Sequence, residues 1–256
     1  MSHHTRPIFS RLTETRLPAA LSQASEAAFI VANHGLLRVC GEPGGERLLF
    51  AHGAGAGVNS PFMRQFVASL AGEGLQVLAF EFSYMQRMRE TGRRRPPPPV
   101  ATLVEEYGRW HDLVARSVDG SLWVGGKSMG GRVASMLAAR RAVDGLVIAG
   151  YPFHPPRAPE KRRLSHWPDV CCPSLILQGE RDPFGKREEV EGYTLPPNVT
   201  LAWLADGDHD FVPRRASGLS QQNLIDEGAH RAACFVRAEE AGFGKRRQAS
   251  SMNDKC

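Results

Sequence analysis

The sequence predicts an α/β fold, a mostly parallel sheet of about six to eight strands with helices on both faces. Two observations carry this. From about residue 46 onward, short apolar runs alternate with amphipathic segments. The runs are continuously rich in Val, Leu, Ile or Phe, as strands covered on both faces must be, and are not apolar only at every second position. A chain of 256 residues suits one such domain and is long enough to bury most of its apolar surface.

Taken in order, residues 1–45 form an N-terminal segment, partly irregular, whose apolar patch at 29–39 can add edge strands. The main domain spans 46–241. Its strands are expected at 47–51, 75–82, 122–125, 145–149, 174–178 and 199–204, and its helices at 61–71, 100–118, 129–141, 186–192 and 220–241. Right-handed crossovers then gather the functional loops at the carboxyl ends of the strands. Two insertions interrupt the alternation. Residues 83–99 end in Arg93-Arg94-Arg95 and four prolines, which exclude regular helix and favour extended polyproline backbone. Residues 151–168 carry Tyr151, Phe153, His154 and Trp167 among prolines and bases. Both leave carboxyl ends of strands, so both are expected to overhang the site, with Tyr84, Phe153 and His154 as pocket residues. Residues 242–256 are polar and charged and read as a flexible tail.

Composition narrows the function classes. Hydrophobic residues at 42% and charged residues at 23% are ordinary globular usage, which disfavours a disordered chain or a membrane bundle. No apolar run approaches the roughly 18 residues of a spanning helix, and no secretory leader is recognisable, so the expectation is a cytoplasmic protein with no membrane partner. Five cysteines without a Cys-x-x-Cys pair argue for free thiols and against a structural zinc site. Neither a metal nor a cofactor is expected. The net charge of +5 is concentrated in three basic runs, at 93–95, 161–163 and 245–247, each in loop or tail. Solvated loops explain them best, an anionic small-molecule substrate next, and nucleic acid least. The oligomeric state is left open.

The chemistry lies in a Gly-x-Ser-x-Gly pattern, Gly126-Lys127-Ser128-Met129-Gly130. The pattern alone is weak; its setting strengthens it. Residues 122–125 read as a strand running into Ser128, and 132–138 as a helix running out. A serine in so sharp a turn needs small neighbours two residues away on either side, and Gly126 and Gly130 supply them. The free N–H of Met129 at the helix start is one expected oxyanion donor. A second is expected in His52-Gly53-Ala54-Gly55-Ala56-Gly57 after the first core strand, at the Ala54 N–H with Gly53 or Gly55 as the alternatives, and the small residues of this loop let backbone approach the substrate. His52 reads as a brace for that loop. The spacing of these glycines is not that of a phosphate-cradling loop, and no Walker lysine follows.

A serine hydroxyl needs a base, and the base needs an acid to orient it. In this type of elbow they follow in the order serine, acid, histidine. Asp182 follows the strand at 174–178 and His209 the strand at 199–204, so these are the expected acid and base, with Glu180 as the alternative acid. Lys127 is expected to pair structurally and to lead away from the chemistry.

The stretches 48–57, 60–63, 80–85 with 93–98, and 125–132 together resemble one branch of the α/β-hydrolases, which includes bacterial hydrolase-like proteins, the testis-expressed protein 30 and subunit 3 of the nonspecific lethal chromatin complex. The resemblance covers roughly residues 46 to 240. It implies the α/β-hydrolase fold without a large lid. There is a more distant likeness to dienelactone hydrolases, but those use a cysteine nucleophile where Ser128 stands here, so their chemistry does not carry over. The expected function is therefore a serine hydrolase, carboxylesterase-like, acting on a small ester, thioester or related acyl bond through an acyl-enzyme. A serine peptidase or amidase using the same residues, and a non-catalytic binding module or scaffold, are the alternatives.

Overall fold

The structure, a computed structural model, describes residues 10–253, with side chains described over 10–242. Its strands are β1 (Ser10–Leu12), β2 (Glu26–Val31), β3 (Gly35–Cys40), β4 (Arg47–Ala51), β5 (Gln76–Phe80), β6 (Leu122–Lys127), β7 (Leu146–Ala149), β8 (Ser174–Gly179) and β9 (Val199–Leu204). The helices are α1 (Leu17–Leu21), α2 (Pro61–Gly72), α3 (Ser83–Thr91), α4 (Val100–Ala115), α5 (Met129–Ala138), α6 (Arg187–Val190) and α7 (Gln221–Asn253). The strands make one nine-stranded sheet in the order β1-β2-β3-β5-β4-β6-β7-β8-β9. From β5 through β9 every pairing is parallel, while β2 and β3 form an antiparallel hairpin that joins β5 antiparallel. The patch at 29–39 supplies that hairpin, and the short β1 takes the count one beyond eight.

Alternation along each buried strand divides the core in two. Leu49 and Ala51 of β4 face the layer of α1, α4 and α5, where Leu17, Trp110 and Val133 lie buried. Leu48 and Phe50 face the opposite layer, packing with Phe66 of α2 and Leu224 and Ile225 of α7. Both layers bury large side chains almost completely, so the sheet is a rigid platform for its loops.

One topological feature positions the site. β4 is flanked by β5 and β6, so the crossover from β4 to β5 runs to one side and the next, from β5 to β6, runs back across β4 to the other, and a crevice opens at the carboxyl ends of β4 and β6. Ala51 is in register with Gly126 there, which places the loop starting at His52 beside Ser128.

Three segments differ from the sequence expectation. Residues 83–91, expected to be irregular, form α3 because the buried Glu106 of α4 accepts from the Ser83 N–H at 2.6 Å and the Ser83 hydroxyl at 3.2 Å, a cap supplied from 23 residues away. Gly92, at φ 65°, then ends the helix, and residues 93–99 run without helix or strand to α4. Residues 151–168, expected to overhang the site, contribute no side chain to the cleft at Ser128. Tyr151, Phe153 and Trp167 are buried and meet edge to face, with ring centroids 4.8 and 5.4 Å apart, so the insertion closes onto the core. The last helix, expected to stop at residue 241, is drawn to Asn253 and takes in most of the expected tail; 254–256 lie outside the described residues. Cys40, Cys171, Cys172 and Cys234 are free thiols, and Cys256 lies outside the described residues. Among the described residues, no helix is long and apolar enough to cross a membrane, and no cluster of His, Cys, Asp or Glu could hold a metal ion.

Candidate active site

Ser128 stands between β6 and α5 with φ 52° and ψ −113°, backbone that a non-glycine residue adopts only when its surroundings impose it. The surroundings are tight. A Cβ at Gly126 would lie 2.5 Å from the Gly130 carbonyl carbon, and one at Gly130 would lie 2.5 Å from the Ala51 oxygen. Both glycines are thus sterically required. So is Gly131, where a Cβ would meet Ile148 Cγ2 at 2.4 Å. The Ser128 N–H donates to the Ala149 carbonyl at 2.9 Å, anchoring the turn to the end of β7.

His209 Nε2 lies 2.8 Å from Ser128 Oγ, and His209 Nδ1 lies 2.8 Å from Asp182 Oδ2. Asp182 is fully buried and accepts also from Gln178 Nε2 at 3.0 Å and the Phe184 N–H at 2.9 Å. A carboxylate surrounded by donors takes the Nδ1 proton as a hydrogen bond, which leaves Nε2 as the acceptor for the Ser128 hydroxyl. Glu180 lies elsewhere: its carboxylate receives the Asp206 N–H at 2.9 Å and pairs with Arg187 at 2.8 Å.

The loop bearing His209 includes two non-glycine residues at positive φ, Asp206 at 55° and Phe211 at 61°. Several anchors hold it. The Asp206 carboxylate receives Arg214 Nε at 2.6 Å and pairs with Arg181, whose Nε donates to the Asp206 carbonyl at 2.8 Å, and the Arg214 hydrogen bond holds the carboxyl below the usual carboxylate range. Asp208 Oδ1 accepts the N–H groups of Asp210 and Val212, each at 2.9 Å. Phe211 is buried against Phe62 and Phe66. The buried Lys127 donates from Nζ to the His209 carbonyl at 2.7 Å, with Asp210 at 3.2 Å. Burial lowers the Lys127 pKa, and the Asp210 charge opposes that shift.

Across Ser128 the 52–57 loop is held differently. His52 is fully buried, and burial pushes its pKa down to about 4, so the ring is neutral. It accepts the Phe82 N–H at Nε2 (3.1 Å) and donates from Nδ1 to the Gly53 carbonyl at 2.7 Å. In a trans peptide the C=O and N–H point oppositely, so fixing the Gly53 oxygen fixes the direction of the Ala54 N–H. Tyr84 Oη donates to the Ala54 carbonyl at 2.9 Å and orients the next peptide in the same way. Among the described residues, neither the Ala54 nor the Met129 N–H has a protein acceptor. No backbone clash requires Gly53 or Gly55: a Cβ at Gly53 would make ordinary contacts near 3.7 Å and one at Gly55 would meet nothing. Their smallness instead keeps open a cleft of about 460 Å³.

That cleft is walled by residues 53–56, by Pro61, Phe62 and Met63 at the start of α2, and by Phe184, Asp210 and Gln221, with Lys127, Ser128 and His209 at its base. Tyr84, Phe153 and His154 do not line it, contrary to the sequence expectation. Tyr84 works from behind the 52–57 loop. Phe153 is buried between Tyr151 and Tyr193, and His154 is buried with its ring held by the Pro155 carbonyl at 2.8 Å and Glu189 at 3.3 Å. Tyr84, Phe153 and His154 are buried and form no pocket rim.

Sequence reasoning misses Gln178, whose amide ties Asp182 to the Tyr151 and Gly185 carbonyls, because a glutamine inside an apolar strand carries no distinguishing signal. Gly150 is missed as well. At φ 67°, its would-be Cβ lies 3.3 Å from the His209 ring, and a glycine at the carboxyl end of a strand was the available clue. Lys127 was expected to pair away from the site; it pairs, but with the loop of His209 itself.

Residues 44–237, most of the chain, match the family described as the alpha/beta hydrolase domain. No curated protein is similar in sequence. Among solved structures, the chain resembles a dienelactone hydrolase from Anabaena variabilis at 22% identity and TM-score 0.61, covering 83% of this chain and 96% of that one. It resembles a serine hydrolase without lid from Xanthomonas campestris at 19% identity and TM-score 0.56, covering 81% and 95%. An esterase from Pyrococcus furiosus is similar at 17% identity and TM-score 0.58, covering 91% and 96%. At such identities the likeness is one of fold, and of the three the Xanthomonas campestris protein is described as lacking a lid. By its match over residues 44–237, the chain belongs to the alpha/beta hydrolase family.

Proposed function

We propose that this member of the alpha/beta hydrolase family is a serine hydrolase that cleaves a small ester, thioester or related acyl bond through an acyl-enzyme on Ser128. One observation carries the reading: an unbroken hydrogen-bonded line from Ser128 Oγ through His209 to the buried Asp182, each link 2.8 Å. Ser128 Oγ attacks the acyl carbonyl while His209 Nε2 takes its proton, and Asp182 stabilises the resulting imidazolium. The oxyanion accepts hydrogen bonds from the Met129 and Ala54 N–H groups. His209 returns the proton to the leaving alcohol or thiol. Water, deprotonated by the same nitrogen, then attacks the acyl-enzyme; acid is released and the serine is restored.

A cleft of about 460 Å³ with apolar walls at Phe62, Met63 and Phe184 favours a small acyl group. The cation in its wall, Lys127, already pairs with Asp210 and the His209 carbonyl, so support for an anionic substrate rests on Arg93 to Arg95, outside the wall. Within the family, the motifs at 48–57, 60–63, 80–85 and 125–132 favour the branch of the testis-expressed protein 30 and subunit 3 of the nonspecific lethal chromatin complex.

The test is covalent labelling of the purified protein with a fluorophosphonate probe. Labelling is expected in the parent and absent in Ser128→Ala and His209→Ala. A folded parent that does not label supports the non-catalytic binding module instead. Turnover of anilides as fast as esters would point to an amidase.

A further inference from the structure

A second hollow, of about 500 Å³, adjoins the cleft at Ser128. The two share Ala56, Ser60 and Pro61 as walls. Beyond that common segment the second hollow is walled by Met85, Met88 and Arg89 of α3 and by Glu81, just after β5. Met85 and Met88 stand three positions apart, hence on one face of the helix, and both are half-buried against the core layer behind it. Gly57 makes the room: a Cβ there would lie 2.5 Å from Glu81 Oε1 and 3.4 Å from Met85 Cε.

The polar groups of this hollow are already engaged. The buried Glu81 carboxylate accepts from Arg89 Nη1, so the two charges answer each other. Asn59 Oδ1 accepts from Arg38, and Ser60 Oγ accepts the Met63 N–H at 3.4 Å at the start of α2. An ionic ligand would compete with these pairs; an apolar one would not. What is left without a partner is apolar, two thioether side chains and the Pro61 ring. An unbranched methionine side chain shifts to fit what lies against it, which suits a flexible chain better than a rigid ring. The common wall offers little obstruction, since Ala56 contributes a single methyl group and Ser60 is turned to the helix start.

We propose, resting on the serine-hydrolase reading of Ser128, that this hollow is a subsite for a straight apolar chain of the ester, entering from the cleft over the 56–61 segment. The substrate class is then an ester that carries an unbranched alkyl chain, on its acyl or its alcohol side.

Binding to Ser128→Ala, which leaves esters intact, tests this by calorimetric titration with two homologous series, methyl butanoate to methyl octanoate and butyl acetate to octyl acetate. Affinity should rise by about three- to fourfold per added methylene in at least one series, as burial of each group predicts, and the series that rises shows which side of the ester bears the chain. Met88→Glu in the same background should flatten that rise. If it fails to fold, Met88→Gln carries the test, because it keeps the length of the side chain and replaces only its apolar end. Two flat series, or a rise untouched in a folded Met88 variant, would overturn the subsite. Flat series in a protein whose parent form labels with the fluorophosphonate probe would strike the subsite alone, and a rise beside an unlabelled parent would strike the hydrolase reading alone.

Discussion

On one side of Ser128 the loop after β4 is held by neutral groups, His52 and Tyr84, both buried; on the other, the loop after β9 is held by ions. The difference follows from what each must do. The 52–57 loop presents backbone N–H groups whose direction must not drift, and buried neutral hydrogen bonds, which salt hardly screens, fix peptide planes. The 206–214 loop presents a histidine that gains and loses a proton in the proposed reaction. Around it stand Asp182, Lys127 and Asp210, charges of both signs. Its outer clamp, Asp206 with Arg181 and Arg214, is open to solvent and should respond to salt.

The largest effect should come from the charged side. Asp182→Asn keeps the shape but replaces the acceptor at Nδ1, and ester turnover should fall by about 10⁴-fold, measured as kcat with the fold checked by circular dichroism. Turnover close to that of the parent would remove Asp182 from the mechanism. The neutral side should speak through pH. His52 titrates near 6.5 when unfolded and at about 4 when folded, so the unfolded chain binds the extra proton between these values. Stability from this group is therefore complete above pH 6.5 and is lost as pH falls toward 4, by about 3 kcal/mol. Denaturant unfolding of parent and His52→Gln at pH 7 and pH 4 isolates it. An equal pH dependence in the two would show that His52 is not held neutral. The smallest effect is expected at the outer clamp. Arg214→Ala should lower the unfolding temperature slightly at low salt and not at all in 1 M sodium chloride, a salt dependence that His52→Gln should lack. The same salt response in both would erase the contrast between the loops.

The two sides were also unequally readable from sequence. Ser128, Asp182 and His209, which the structure brings within hydrogen-bond distance, each announce themselves by lying just beyond an apolar run, and β4 and β9 begin and end where those runs do. Strand ends are local properties of sequence. The supports are not. Glu106 capping α3, Gln178 holding Asp182 and Tyr84 holding the Ala54 carbonyl each reach across the fold or inside an apolar strand, where side-chain identity alone gives no direction. The expected pocket residues Phe153 and His154 show the converse error. Aromatic residues among prolines resemble a binding loop until Tyr151 and Trp167 are seen to take them into the core.

Lys127 has a mechanical consequence. It precedes the serine by one residue and grips the carbonyl of His209, so any shift of the turn that carries Ser128 drags the histidine with it. Ser128 and His209 stand 81 positions apart in the chain, yet they travel as one jaw.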